Sequence, residues 1–526
     1  MVVKRFKEDV IEMEKALGHH NLSDKSNPTV LGITGNNWSR WQEQTDILKN
    51  IDVIIITHSR YIALCLDDDL RLAFSERREV LIIDEKINFP TYSFSEVYYE
   101  NIRRMLPSIV LKDEFDKICK DLRIILEKQQ TANNQNLVIR MRPSNSKDKI
   151  QHFLELINLN INDIKDLTKR SAIQNCAQGI EQWYSTMCIY NGGNIITFNR
   201  KHRLWGLKNN IILDASSNID GVYHISEDYN VVSEKRIIDH SNSTFHIIPF
   251  NTGKGNIKKH ETEYFKEIAK KIKHYHKEND QTLIICHKDN FPLIEEQLLR
   301  LSINDIHVAK VTIEFGEEKR QIERVKQSFA INWFGNIIGK NEYTDFSNCW
   351  IIGTPNIPLG QYPIQYMMYS KQKDLTNKKL ELIQGSFKNK IFNELKNGYV
   401  ASEIYQSLKR IQRNVLPNGN FFIVNNNKTI TDLVLGEIKG VKNIEEIELD
   451  FVQKKKQESE SNYIDLFIDY MRELPIGEYP KKDITKKLNI IHLYRVLKAD
   501  RVKQLETYGY IKIKGKSIEK IDLWSK

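Results

Sequence analysis

The hexapeptide Val80-Leu-Ile-Ile-Asp-Glu85 constrains this 526-residue chain more than any other segment. Its four apolar residues are consecutive rather than alternating, so both faces of the strand they form must be covered, as in a parallel sheet flanked by helices. The run then ends abruptly in two adjacent carboxylates. Around it the chain supplies matching units: Val2-Val3, residues 29–33 and residues 53–56 read as strands, with amphipathic stretches at 8–17 and 37–48 between them. Strands in alternation with helices imply crossover connections, hence an α/β fold built on a parallel sheet.

After Pro90 the period changes. Tyr98, Ile102, Met105 and Leu106, then Phe115, Ile118, Leu122 and Ile125, recur at helical spacing, so a helical insertion is expected over about 95–190, divided by the polar stretch 131–136. Sheet character returns at 195–198 and 211–217, which completes a first unit over 1–235. A second alternating unit covers 236–442, with helices expected near 261–278, 290–300 and 317–328 and strands at 282–286, 307–311 and 349–352. Residues 443–462 are polar and charged and read as a linker.

Beyond the linker the charge is uneven. The chain carries a formal net charge of +9, and residues 481–526 hold 13 Lys/Arg against 5 Asp/Glu, a local excess of 13 − 5 = +8. Within 463–526, two short amphipathic helices and a longer one at 491–508 carrying Arg495, Lys498, Arg501 and Lys503 precede alternating residues around Gly515, including Lys512 and Lys514. Helices followed by a β-hairpin are the pattern of a small winged helix, and the charge is the footprint of a polyanion binder, DNA rather than RNA. A solvated basic tail accounts for the same charge, and winged helices also serve as protein-interaction modules.

The six cysteines are far apart, with no CxxC pair, so neither a zinc cluster nor a disulfide framework is indicated, and a reducing, cytoplasmic setting is expected. No apolar run approaches the ~20 residues of a membrane span, so no membrane partner is expected. At 40% hydrophobic and 28% charged the composition is that of a globular protein with real cores.

Far downstream, Gln406-Ser-Leu-Lys-Arg-Ile-Gln-Arg413 places a glutamine and two arginines at 406, 410 and 413. Together with Asp84-Glu85 it resembles the last conserved motif of the superfamily 2 DEAD/DEAH-like helicases, and other segments follow in that family's order. Met1-Val-Val-Lys-Arg-Phe6 resembles the strand-end motif that meets the nucleic-acid backbone, and Val53-Ile-Ile-Ile-Thr-His-Ser59 the later threonine-histidine motif. Val80 to Lys86 looks like Walker B, Ile212-Leu-Asp-Ala-Ser-Ser217 like motif III, and Leu283-Ile-Ile-Cys-His287 like motif IV. Gly335-Asn-Ile-Ile-Gly-Lys-Asn341 with Ile351-Ile-Gly-Thr-Pro355 is similar to motif V. The resemblance covers roughly residues 1–430 and implies two RecA-like domains, the first carrying the insertion, that hydrolyse ATP between them.

The roles implied are chemical. Asp84 is expected to hold Mg²⁺ on the phosphates and Glu85 to orient the attacking water. Gln406, Arg410 and Arg413 are expected to reach the γ-phosphate from the second domain, so that charge is stabilised only when the cleft closes. Lys4, Arg5, Thr57, His58, Asn341 and Thr354 are expected on the nucleic-acid backbone, and Arg495, Lys498, Arg501, Lys512 and Lys514 on DNA from the basic module. Apart from the family, Asp-Glu after an apolar strand also reads as a helix N-cap followed by a surface acid.

Two departures qualify the resemblance. Lys409 stands where the family has glycine, and no GxxxxGK(S/T) phosphate loop occurs; Gly253-Lys254 is followed by Gly255 and lacks the earlier glycine. The first strand corresponds to one that follows the phosphate loop in the family, so an apolar sheet edge is expected around 80–83. Three explanations stand: a late-start form of a longer helicase, one half of a split motor whose partner chain supplies the loop, or a degenerate scaffold. The function expected is an ATP-dependent helicase or translocase; the alternative is a non-catalytic DNA-binding replication or accessory protein.

Overall fold

The structure is a computed structural model describing residues 1–18, 28–132, 137–233, 236–309, 325–337, 341–370, 375, 379–383, 385–490 and 493–523, without the side chains of 454–462. Strands β1 (Val2–Lys4), β2 (Val30–Ile33), β3 (Val53–Thr57) and β4 (Val80–Asp84) alternate with helices as the apolar pattern requires. Next come β5 (Thr91–Phe94), β6 (Leu137–Met141), β7 (Cys188–Asn191), β8 (Asn194–Phe198) and β9 (Asn209–Leu213). The first sheet is wholly parallel, in the order β2-β3-β1-β4-β9.

A second parallel sheet is larger. It uses β10 (Thr244–Ile248), β11 (Thr282–Cys286), β12 (Ile306–Val308), β13 (Phe329–Trp333) and β14 (Asn348–Ile351), then, past β15 (Lys379–Ile383) and β16 (Ser386–Phe387), β17 (Asn420–Val424) and β18 (Asn443–Glu446). Its order is β12-β13-β11-β14-β17-β10-β18. The two sheets give an α/β protein with two RecA-like bodies. The helix expected at 317–328 lies almost wholly outside the described residues.

Five expectations are corrected. The edge anticipated at 80–83 is not an edge: β4 lies between β1 and β9, with Leu81 and Ile83 buried. Among the described residues the outer strands are β2 and β9, and on β9 Ile211 and Leu213 are 48% and 54% exposed. In a parallel strand alternate residues bond to opposite neighbours. Asn209 N donates to the Glu79 carbonyl and Glu85 N to that of Leu213, so 209, 211 and 213 face β4 while Asn210 and Ile212 turn their backbone groups outward.

The insertion is not purely helical. Its helices Glu96–Met105, Ile109–Thr131, Lys147–Asn160 and Leu167–Ser185 share a core of Phe115, Ile118, Phe153, Ile173 and Trp183. They pack on a separate antiparallel sheet, β16-β15-β6-β7-β8-β5. The signal for it was Asn191-Gly-Gly-Asn194: both glycines take positive φ, 54° and 80°, the geometry of a two-residue hairpin turn. In that sheet β15, from the second half of the chain, pairs with β6 of the insertion.

Accordingly, not all of 236–442 sits in the second body. Tyr362, Ile364, Met367, Leu380, Phe392 and Leu395 belong to the core that also contains Val3, Ile56 and Ile83 of the first sheet. Nor is 443–462 a flexible linker. β18 extends the second sheet beside β10, and helix Asp450–Glu473 follows, its first backbone N–H groups at Asp450 and Phe451 satisfied by the carboxylate of Glu267 instead of a local cap. The C-terminal region has its own core and a three-stranded antiparallel sheet, β19 (Gly477–Pro480), β21 (Ser517–Lys520) and β20 (Ile511–Ile513). The single helix expected at 491–508 is two, Leu493–Lys498 and Asp500–Thr507, divided by the extended Ala499.

Arg78 fastens the approach to β4. Only 9% exposed, its guanidinium donates to the carbonyls of Phe74, Glu76, Leu48 and Ile51, joining the C-terminal ends of helices Thr45–Leu48 and Asp68–Ser75. Arg78→Met leaves those buried carbonyls without a charged donor, a loss of roughly 3 kcal/mol. Urea unfolding followed by the fluorescence of Trp38 and Trp41 should show a lower midpoint; an unchanged midpoint contradicts the role.

Candidate nucleotide cleft

The site starts from strand register. β1 lies parallel to β4 with Val2 opposite Ile82 and Val3 opposite Ile83, which brings Lys4-Arg5 level with Asp84-Glu85 at the carboxyl ends of both strands. Lys4 Nζ is 2.8 Å from Asp84 Oδ2 and Arg5 Nη1 is 2.9 Å from Glu85 Oε2. Lys4 and Arg5, expected on nucleic acid, are thus held on the two acids. Glu85 adopts φ 65°, in the left-handed region that a non-glycine residue enters only at a cost of order 1–3 kcal/mol.

Thr57 and His58 are also turned inward. The Thr57 hydroxyl caps helix His58–Leu64 by accepting from Arg60 N at 3.3 Å, and His58 Nε2 donates to the Asp84 carbonyl at 2.8 Å. Burial, followed by the charge of Arg5, lowers the His58 pKa to about 4, so the ring is neutral at physiological pH.

From the second half of the chain, helix Lys390–Leu408 and the turn after it bring the other partners. Arg410 is 6% exposed; its Nη2 lies 4.0 Å from Glu85 Oε1, and its Nε is buried with no hydrogen-bond partner among the described residues. Burial, then the neighbouring Arg413, pulls the Arg410 pKa down to about 10. Arg413 Nη1 donates to Asn341 Oδ1 at 2.5 Å and Nε to the Lys409 carbonyl at 3.1 Å, so Asn341 holds this arginine. Between the two arginines Gln412 has φ 48°, a second residue in the left-handed region, held by its backbone N–H to the Thr344 carbonyl and its side chain to the Phe346 carbonyl. Residues 338–340 of the motif leading to Asn341 lie outside the described residues.

Gln406 is placed differently from expectation. Its Nε2 donates to Ser216 Oγ at 2.9 Å, the same oxygen that accepts from Ser402 Oγ at 2.7 Å and donates to Asp214 Oδ1 at 2.6 Å. Its Oε1 is buried without a partner among the described residues. Sequence reading gave no role to Lys86, which pairs with buried Asp220 and lies 5.3 Å from the Tyr399 ring, and noted Lys409 only as a departure from the family; its Nζ donates to His240 Nε2 at 2.8 Å. Burial and the charges of Arg236 and Arg413 lower Lys409 to about 8. The available signal was position: Lys86 directly follows the acids and Lys409 directly precedes Arg410.

The remaining expected residues lie elsewhere. Thr354 follows β14, with its hydroxyl 2.6 Å from that of Thr252 and accepting from Asn425 Nδ2 at 3.3 Å. In the C-terminal region Arg501 is paired with Asp465, and Lys514 lies between Glu478 and Glu519, each at 2.9 Å; Arg495, Lys498 and Lys512 are exposed.

Two groups implied by the resemblance can be tested against this geometry. Mg²⁺ at Asp84 would meet a carboxylate with one oxygen, Oδ2, already paired with the Lys4 ammonium, and would take its other ligands from water and phosphate. A phosphate fits. Arg410, Arg413 and Lys409 crowd positive charge into a partly buried cleft, and the Arg410 Nε lacks an acceptor.

The neutral His58 carries a pH signature. Because its folded pKa lies below the unfolded value, the unfolded chain takes up the proton first as pH falls. Its contribution is complete above about 6.5 and is lost towards about 4, a span worth roughly 3 kcal/mol. His58→Gln, which keeps a donor for the Asp84 carbonyl, should flatten that acid limb in urea unfolding between pH 7 and 4; an identical limb excludes His58 as its source.

No family model and no curated protein sequence matches the chain. Among solved structures it is similar to XPD in an apo form, with a TM-score of 0.53 and 14% identity over 85% of this chain and 91% of that one. It is likewise similar to an XPD helicase structure, with a TM-score of 0.51 and 12% identity over 85% and 91%. At such identity the likeness concerns architecture. The chain shares the overall α/β fold of these XPD structures.

Proposed function

We propose that this protein is an ATP-dependent nucleic-acid helicase or translocase. The observation that carries the reading is the meeting of Glu85, at the carboxyl end of β4, with Arg410, whose buried Nε awaits an acceptor. Glu85 Oε2 is held by Arg5, which leaves Oε1, the oxygen turned towards Arg410, to orient a water for in-line attack. Arg410 and Arg413 stabilise charge gathering on the terminal phosphate, a contribution of about 2.7–4 kcal/mol for each donor well placed in a dry site. Gln406 acts at one remove, linking Ser216 to the helix that leads into the arginines.

The phosphate-cradling loop absent from the sequence fits a partner chain that adds a strand along β9, whose carboxyl end leads to this cleft. Nucleic acid would lie over the polar cluster of Thr354, Thr252 and Asn425, and DNA would be gripped by the C-terminal region, read as a winged helix, through Arg495, Lys498 and Lys512. Those contacts are phosphate-directed, so affinity should depend strongly on salt.

A second reading, a non-catalytic DNA-binding accessory protein, is favoured by the Lys4–Asp84 pair, which partly neutralises the carboxylate a metal would use. DNA-stimulated ATP turnover decides. Glu85→Gln and Arg413→Ala should each lower it about 100-fold or more; turnover surviving both overturns the cleft, and DNA binding without turnover by the wild-type protein supports the second reading. Separately, Arg495→Glu with Lys498→Glu should weaken DNA binding and reduce its salt dependence, read by fluorescence anisotropy from 50 to 200 mM salt; unchanged slopes exclude this region from the interface.

A further inference from the structure

Helix Lys390–Leu408, which leads into Arg410 and Arg413, does not belong to one body. Phe392 and Leu395 in its first half are buried in the core of the first sheet, whereas Val400, Ala401, Ile404 and Leu408 in its second half are buried in the core of the second sheet. The segment after β9 crosses at the same place. Ile219 packs in the second core, and Val222 and Tyr223 in the first. Where the crossings meet there is no space between backbones: a Cβ on Gly398 would stand 2.5 Å from the Ile219 carbonyl oxygen, and one on Gly221 3.1 Å from Leu395 Cα.

Polar contacts fasten the same junction. Ser402 and Gln406 both reach Ser216 from successive turns of the helix, and Lys86, just beyond the acids, pairs with Asp220 while lying over the Tyr399 ring. At the other end the helix is anchored through the chain that precedes it. Gly360 lies against Ile196 and Ile189, Tyr369 OH donates to the Ile87 carbonyl, Arg140 donates to the Leu375 carbonyl, and β15 pairs with β6.

We infer that Lys390–Leu408 is a beam common to both bodies, positioned by Gly398 and Ser402 against the Ile219–Gly221 backbone and Ser216, and that it holds Arg410 and Arg413 beside Glu85 before any nucleotide enters. The expectation that the arginines arrive only with closure of a second domain is thereby replaced. A helix anchored in the first core cannot swing away with the second sheet. The arginine pair therefore stays beside Glu85, with Ile411 between its two members buried in the second core. Gly398 and Ser402 are positioning residues. The inference rests on Arg410 and Arg413 facing phosphate, as proposed above, but its test does not require turnover.

The Ser216 and Ser402 hydroxyls are 2.7 Å apart, close enough for cysteines at these positions to join, and the six native cysteines are buried. In the full chain carrying Ser216→Cys and Ser402→Cys, mild oxidation is expected to form the disulfide to the same extent, within about twofold, in protein alone, with ATP, and with ATP plus single-stranded DNA. A bond that forms at least tenfold faster with ATP, or that fails to form in any state, overturns the beam. Gly398→Ala, where the chain folds, should lower the fraction cross-linked in every state, because the new methyl group forces the helix off the Ile219 carbonyl; unaltered cross-linking in this variant also overturns it. Absence of ATP turnover beside state-independent cross-linking counts against turnover by this chain alone while leaving the beam intact.

Discussion

The parallel register of β1 against β4 is the constraint from which the site follows. Residues opposite one another on neighbouring parallel strands lie ~4.8 Å apart, so placing Lys4-Arg5 beside Asp84-Glu85 makes two ion pairs a matter of backbone geometry more than of chosen rotamers. Two adjacent acids at a strand end repel each other, and these cations offset that repulsion inside the fold. The side chains involved retain roughly a fifth to a third of their exposure, so each pair contributes only modestly to stability. Their larger effect is on chemistry: a carboxylate already neutralised is a weaker cation ligand, and a guanidinium already satisfied is no longer free for nucleic acid.

Much of the architecture was legible in the sequence because apolar runs and helical periods reflect local packing. Strands β1 to β4 of the first sheet and the helix Glu261–Tyr275 fall close to where the pattern puts them, whereas β9 starts and ends before the expected 211–217. Errors arose where long-range pairing decided. The polarity of 443–462 suggested a linker, yet β18 gains a sheet neighbour in β10, and Glu267, 183 residues earlier, supplies the cap that Asp450 lacks locally. Likewise, nothing local in 361–369 tells which of two cores will bury Tyr362 and Ile364.

The candidate site was legible as a set of residue types and much less as a set of contacts. Asp84, Glu85 and Arg410 come together, and Arg413 lies close enough for Glu85 to influence its charge. Lys4, Arg5, Thr57 and His58 were expected outside but point in, because a motif specifies the strand end and not the rotamer. The departure from the helicase pattern at Lys409 acquires a physical meaning: a glycine there could not pair with His240, and Lys409 adds a cation whose own proton is loosened by Arg236 and Arg413.

The exposed edge of β9 has a consequence for the chain as a material. Outward backbone groups at Asn210 and Ile212, with Ile211 and Leu213 uncovered beside them, form a template on which any extended peptide can add, another copy of the same strand included. Natural edges are usually blunted by lysine, proline or a bulge, and this five-residue strand has none of these. A strand laid along that short edge would pair the outward backbone groups and cover Ile211 and Leu213 at once, completing the first sheet on the side of the acids.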